Sequence, residues 1–179
     1  MSKMIECVID SVRVSLTNQD RIIVLKDKQS QRYLPIWIGV YESEAITIAL
    51  QSIAVARPLT HDLMRSVIET LGGKLVGVEV SAIENDTFYS NLIIETPDGI
   101  KHVDCRPSDA LALVVRVGAK IYVDDEVFDR AGITPEDIAV IDDKESEDQQ
   151  LNLSVFDDFL DELGKRDKPD QPQTPDAQA

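Results

Sequence analysis

The sequence predicts an α+β domain: a mixed, mostly antiparallel sheet with three main helices packed against it. Stretches of alternating apolar and polar residues are typical of strands, and apolar residues at helical spacing separate them. Turn residues join neighbouring strands into hairpin-like sets with helices between the sets, which favours the α+β class. The length of 179 residues suits one sizeable domain with an appendage.

The first part of the chain supplies three strands and two helices. Pro35 predicts that the third strand lies at an edge or bulge, because proline has no N–H for the ladder. Gly39 ends that strand, and the second helix carries an apolar stripe of Leu63, Met64, Val67, Ile68 and Leu71. The expected strands are 4–16, 21–26 and 33–38, and the expected helices are 41–53 and 60–71.

The second part supplies a hairpin and the third main helix. We expect strands at 74–83, 87–95, 100–105 and 120–123, a helix at 108–117, and a helical turn near 127–131. The third helix is apolar around almost its whole circumference, so it must be buried on most sides. Its polar stripe consists of Asp109 and Arg116.

The composition changes near residue 142, which we take as the end of the domain at 1–141. Residues 142–179 hold 12 acidic and 4 basic residues, and their last part, with Pro169, Pro172 and Pro175, reads as disordered. One short amphipathic helix is expected at about 154–163. Two interpretations stay open: this helix docks on its own domain or solvates the tail, or it recognises a protein partner.

The net charge and the cysteine content limit the classes of function that this protein can have. The net charge of −15 excludes a broad basic face for nucleic acid, so any contact with a polynucleotide is weak and local. The chain has no apolar run long enough for a membrane helix, which predicts no membrane partner. Two cysteines are too few for a disulfide framework, which favours a reducing cytoplasm.

Polar residues in helical segments are the candidates for a site. Glu42 falls in the apolar stripe of the first helix, either as a first-turn carboxylate satisfied by backbone N–H groups or as a ligand or acid/base group. His61 stands at the start of the second helix, close to Arg57, and is either a structural or a functional histidine.

The segment 104–109 forms a strand-to-helix corner rich in polar groups. It brings together two carboxylates, a guanidinium and an N-capping hydroxyl: Asp104, Asp109, Arg106 and Ser108. Such corners bind anions through helix N–H groups, and paired carboxylates hold Mg²⁺ or Mn²⁺. An Asp–Arg brace with a serine cap is the structural alternative. Nucleotide-binding glycine loops, nucleophile elbows and zinc signatures are absent from the sequence.

Four blocks in this order resemble the bifunctional nuclease domain family over about residues 4–140. They are 34–39 (LPIWIG) with Glu42 and Ala45 after it, 57–63 (RPLTHDL), 86–89 (DTFY) and 104–110 (DCRPSDA). The resemblance implies an α+β domain, often dimeric, with degradation of DNA and RNA by some members. It supports the importance of eight positions without assigning roles: Glu42, Arg57, His61, Asp62, Asp104, Arg106, Ser108 and Asp109.

The preferred hypothesis is a divalent-metal-assisted nuclease that acts as a homodimer. Asp104 and Asp109, with Glu42, would hold Mg²⁺ or Mn²⁺, and His61 would act as general acid or base. Substrate phosphate would contact Arg57, Arg106 and Ser108. The rival hypothesis is a non-catalytic dimeric regulatory module whose corner binds an anion or nucleotide, and a binder of small nucleotides is a third.

Overall fold

Seven strands and four helices make up the part of the chain that a computed structural model describes, residues 3–14 and 21–138. The strands are β1 Met4–Val14, β2 Arg21–Asp27, β3 Tyr33–Ile38, β4 Lys74–Glu84, β5 Thr87–Thr96, β6 Gly99–Cys105 and β7 Lys120–Asp124. The helices are α1 Val40–Leu50, α2 Thr60–Thr70, α3 Pro107–Val117 and α4 Asp125–Ala131. The predicted α+β class is confirmed.

The strands form one mixed sheet in the order β3-β2-β1-β7-β4-β5-β6. Within the described residues, the β4–β7 pair is parallel and the other five pairs are antiparallel. β3 lies at one edge, as Pro35 predicts, and β6 lies at the other. The turn expected at 17–20 lies outside the described residues.

The main hydrophobic core lies between one face of the sheet and helices α1, α3 and α4. Ile23 and Leu25 of β2 contribute from the sheet, and Ile46 of α1 lies over it; all three are fully buried. In α3, residues 110–114 are all buried, so the prediction that this helix is enclosed on most sides is confirmed. Gly118 ends α3 in the left-handed conformation, with φ of 66°, which glycine adopts without strain.

We call the opposite side of the sheet the open face. Residues up to Ile138 cover it at β2, where Ile22 and Val24 form a second, smaller cluster. From β1 to β6, the open face carries a row of polar side chains. These residues are direct ladder partners, and partners in a ladder share a face of the sheet. The row consists of Glu6, Tyr122, Glu79, Asn91 and Asp104.

The apolar stripe of α2 is mostly exposed. Leu63, Val67 and Leu71 have 59%, 47% and 80% of their surface accessible. Ile68, in contrast, is partly buried and packs against the main core. The helix therefore contacts α3 and β4 along one margin and leaves a row of apolar side chains uncovered by the described residues.

Two predictions about the tail lie outside the described residues. These are the domain boundary after residue 141 and the helix at 154–163, and both stay predictions. None of the helices in residues 3–14 and 21–138 combines the length and the apolar composition that a membrane span requires.

Candidate functional site

Arg106 joins the first turns of α1 and α3. Its Nη2 donates to Glu42 Oε1 at 2.6 Å, and its Nε donates to Asp109 Oδ2 at 2.9 Å. Nη2 also lies 3.3 Å from Asp109 Oδ1, so the guanidinium holds the Asp109 carboxylate through two of its nitrogens. Together with His61, these residues form what we call the Arg106 cluster.

Helix geometry explains why both carboxylates are available to Arg106. Glu42 is the third residue of α1 and Asp109 is the third residue of α3, and each helix is preceded by an extended residue, Gly39 or Arg106. A carboxylate in the first turn is stabilised by the positive end of the helix dipole. Since these acidic side chains already stand at the helix starts, an incoming anion would meet Arg106 rather than free helix N–H groups.

His61, which belongs to α2, contacts the same carboxylate of Asp109. Its Nε2 lies 3.2 Å from Asp109 Oδ1, although 48 residues separate the two in sequence. The imidazole is 9% exposed, whereas the Arg106 side chain is 66% exposed. The histidine therefore forms the floor of the cluster and the guanidinium forms its surface.

Arg106 remains charged in this setting. The hydrogen bonds that Arg106 donates to Asp109 and Glu42, together with the negative charge of both carboxylates, raise the pKa of its guanidinium above the ordinary value. None of its bonds to Glu42 and Asp109 uses Nη1. An exposed cation with unused N–H donors is suited to binding a phosphate oxygen.

Gly39 provides the space for Glu42. A Cβ at position 39 would meet Glu42 Oε2 closer than real Cβ atoms ever approach another atom. The glycine at the strand-to-helix joint is therefore what lets the Glu42 side chain fold back toward Arg106. This role of Gly39 is not among the sequence predictions, and its signal in the sequence is a glycine three residues before a first-turn glutamate.

Asp62 and Arg116 brace α2 against α3 beside the cluster. Arg116 Nε donates to Asp62 Oδ1 at 2.7 Å, and Asp62 Oδ2 accepts from the Leu59 N–H at 2.9 Å. Burial alone would raise the pKa of Asp62, but the bonds from Leu59 and Arg116 hold it below its usual value. This ion pair fixes the start of α2, from which the His61 side chain extends.

Asp104 is separated from the Arg106 cluster by the sheet. It pairs with Asn91 of β5, which donates to Glu79, so its Cβ points to the open face. The chain leaves the strand after Cys105, and alternation therefore does not carry Arg106 to the same side. The expected meeting of Asp104 with Asp109 at one corner is not what the structure shows.

Ser108 and Arg57 also differ from the expected arrangement. The N-cap of α3 is Arg106, with Pro107 as first residue, so the prediction of Ser108 as N-cap is wrong. Ser108 is buried in the first turn, at 6% exposure. Arg57 is exposed before α2, and its side chain has no hydrogen bond or ion pair with another described residue.

The cluster does not fit a divalent cation in its present arrangement. No group of three or more His, Cys, Asp and Glu side chains among residues 3–14 and 21–138 is placed to hold a metal ion. The guanidinium of Arg106 lies between the carboxylates of Glu42 and Asp109, where a cation would have to bind. Metal assistance stays a prediction.

Comparison with known proteins places the chain in a family. The model of the bifunctional nuclease domain matches residues 23–136, a span that contains all four members of the Arg106 cluster. This chain belongs to the bifunctional nuclease domain family. The resemblance seen in the sequence is thereby confirmed.

Relatives of this family member fall into two groups. An uncharacterized protein of Mycobacterium tuberculosis is 36% identical over 161 residues, which cover 87% of this chain and 93% of that protein. Two rice proteins, bifunctional nuclease 1 of Oryza sativa subsp. indica and the bifunctional nuclease of Oryza minuta, are 26% identical over 138 residues. That match covers 73% of this chain and 42% of each rice protein.

Proposed function

We propose that this protein is a nuclease that hydrolyses phosphodiester bonds of DNA or RNA, with the Arg106 cluster as its active site. The observation that carries the proposal is the contact of His61 Nε2 with Asp109 Oδ1 at 3.2 Å, beneath an exposed arginine bound to the same carboxylate. A proton-transfer group and a phosphate-binding cation are thereby held together by one aspartate. Membership of the bifunctional nuclease domain family supports the reaction class.

The chemistry assigns one role to each group. Asp109 orients the imidazole of His61, as a carboxylate does in other histidine-based hydrolases. His61 then takes a proton from the attacking water through its remaining ring nitrogen, Nδ1. The water oxygen bonds to phosphorus, the bond to the leaving sugar oxygen breaks, and that oxygen takes its proton from solvent. Arg106 neutralises the charge that develops on the phosphate oxygens.

The charge of the molecule shapes how substrate is bound. With a net charge of −15, the surface repels a polynucleotide except where a cation is exposed. Arg106 supplies such a point at the cluster, and Arg57, exposed ahead of α2, is a second candidate contact. We therefore expect weak, salt-sensitive binding that engages few phosphates.

The two aspartates of the corner provide the test of this proposal. If a metal pair at Asp104 and Asp109 were the centre, Asp104→Asn and Asp109→Asn would impair cleavage equally. The Arg106 cluster instead predicts a loss of about 100-fold or more for Asp109→Asn, the scale of one acid–base group, and little loss for Asp104→Asn. Both proteins are purified identically and assayed on single-stranded RNA and duplex DNA, with and without chelator. Full activity of Asp109→Asn would overturn the proposal.

One observation favours a second candidate function. Both carboxylates of the cluster are already paired with Arg106, which is also what a purely structural brace would show. A non-catalytic regulatory module that binds an anion at Arg106 is consistent with this pairing. In that case nuclease activity would not co-elute with the protein, while mononucleotides would raise its melting temperature in the wild type and fail to do so in Arg106→Gln.

A further inference from the structure

The open face of the sheet holds a groove that the proposed active site does not use. The groove has a volume of about 460 Å³ and lies where β2 ends, lined by Val8, Lys26, Lys28, Gln29 and Gln31 among others. Val8 is 43% exposed there, directly paired with Lys26. The Arg106 cluster stands at the helix starts, so the two places are independent.

Positive charge is in excess around this groove. Lys28 Nζ lies 2.7 Å from Glu6 and Lys120 Nζ lies 3.5 Å from the same carboxylate, so two lysines share one acid. Lys26 Nζ stands 5.3 Å from the ring centre of Tyr33. The carboxylate in the groove wall, Asp27, is 2% exposed and is bound by Arg32. Two lysines therefore line the groove, and the accessible acid beside it, Glu6, is shared between Lys28 and Lys120, in a protein whose net charge is strongly negative.

The described chain ends on this same face of the sheet. The backbone of Ile133 forms two hydrogen bonds with the backbone of Tyr33, at 3.0 and 2.8 Å. Tyr33 in turn is the ladder partner of Lys26 on β2. Ile138 then packs on Ile22 and Val24 of β2. Lys26 is therefore two residues along β2 from Val24, whose side chain Ile138 contacts.

The next part of the sequence is the most acidic one. Residues 142–148 (DDKESED) hold five acids and one base and lie outside the described residues. They start four residues after Ile138 and end ten residues after it, a reach of up to about 13 to 35 Å. Lys28 is four residues beyond Val24, or about 13 Å of strand. We propose that residues 142–148 dock in cis into the lysine groove, with their carboxylates on Lys26, Lys28 and Lys120.

Cleavage by trypsin at Lys144, inside the proposed docking segment, tests this in the full-length protein. Lys165, farther along the tail, serves as the internal reference site. A few surface ion pairs of ordinary strength would slow cleavage at Lys144 by about three- to tenfold. Lys26→Gln combined with Lys28→Gln should remove this protection without changing the rate at Lys165. The matched control, Lys74→Gln with Lys101→Gln, removes two exposed lysines elsewhere and should leave the protection intact.

A second measurement leaves the folded part of the chain unaltered. Amide chemical shifts of Gln29, Gln31 and Tyr122 should change when the five acids of the segment become amides: Asp142→Asn, Asp143→Asn, Glu145→Gln, Glu147→Gln and Asp148→Asn. A control set with equal charge change should not move them: Asp157→Asn, Asp158→Asn, Asp161→Asn, Glu162→Gln and Asp167→Asn. About 1 M salt, where the screening length is about 3 Å, should reproduce the effect of the first set.

Three outcomes would overturn the inference. The first is a rate at Lys144 that does not respond to the loss of Lys26 and Lys28. The second is an equal response of the groove amides to both sets of neutral variants, which would mean general attraction without a docked segment. The third is that the amide shifts of the groove change when a polyanion such as polyphosphate is added but do not change with the tail substitutions. In that case the groove would bind a separate partner and not the tail.

Discussion

Arg106 is the residue on which the proposed site depends, since its guanidinium contacts carboxylates in the first turns of two helices, and one of them, Glu42, is 64 residues away in sequence. Ion pairs at an exposed surface contribute about 0 to 1 kcal/mol to stability. The ion pair between Arg106 and Asp109 matters for its geometry, because contacts through Nε and Nη2 fix the orientation of Asp109. That orientation determines which oxygen of Asp109 faces His61.

Asp62→Asn should destabilise the fold without removing a proposed catalytic group. Arg116 is 5% exposed, so loss of the Asp62 charge leaves a buried guanidinium with a weaker partner, at a cost of about 2 kcal/mol. Urea unfolding at neutral pH measures this difference, and Asp98→Asn, at an exposed turn position, is the control.

The pH dependence of that difference has a defined sign. The pKa of Asp62 is lower in the folded state than its ordinary value, so the carboxylate contributes stability above its unfolded pKa. The contribution is lost as the pH falls through the folded pKa. The gap between wild type and Asp62→Asn should therefore be constant near pH 7 and shrink below about pH 4. A gap that widens in acid would contradict this role for Asp62.

At the scale of the elements, the joint between β3 and α1 offers a test of how Glu42 is positioned. Gly39 has φ of −70°, which alanine also adopts, so Gly39→Ala acts through the clash with Glu42 and not through backbone strain. We expect about a tenfold loss of nuclease activity because Glu42 is displaced from Arg106.

A double-mutant cycle isolates this effect. In the Glu42→Ala background the clash is absent, and Gly39→Ala should then cost little further activity. If Gly39→Ala reduces activity to the same extent in both backgrounds, the glycine acts by another route and the account of Glu42 is wrong.

Secondary structure was predictable because local patterns determine it. The predicted and observed bounds of β3 coincide at residues 33–38, and those of α3 differ by one residue. That one residue matters, since serine is a common N-cap but Pro107 takes the first helical position and moves the cap to Arg106. The exposure of α2 was not predictable, because an apolar stripe does not reveal what covers it.

The contacts of the site could be predicted only in part. Glu42, His61, Arg106 and Asp109 were all candidates, but periodicity within one element says nothing about a partner 48 or 64 residues away. Proximity in sequence alone predicts that Asp104 lies beside Asp109. Strand alternation ends where the chain leaves β6, and the two side chains then lie on different sides of the sheet.

At the scale of the whole molecule, the exposed row on α2 is where we propose that two copies associate. Leu63, Val67 and Leu71 are spaced four residues apart and lie on one side of the helix. Val67→Glu combined with Leu71→Glu should convert a dimer to a monomer, because burying two carboxylates against an apolar partner is costly. Light scattering coupled to size exclusion measures the mass. A wild-type monomer, or a variant that remains dimeric, would contradict the proposal.

If the Arg106 cluster performs phosphodiester hydrolysis, cleavage depends on His61, and the two histidines of the chain provide the test. Each lies beside a carboxylate: His61 at 3.2 Å from Asp109 in the cluster, and His102 at 3.0 Å from Glu79 on the open face. The measurement is the rate of RNA and DNA cleavage by His61→Gln and His102→Gln, purified side by side with the wild type. We predict a loss of about 100-fold or more in His61→Gln and a nearly unchanged rate in His102→Gln. Equal rates in the two variants would contradict the account.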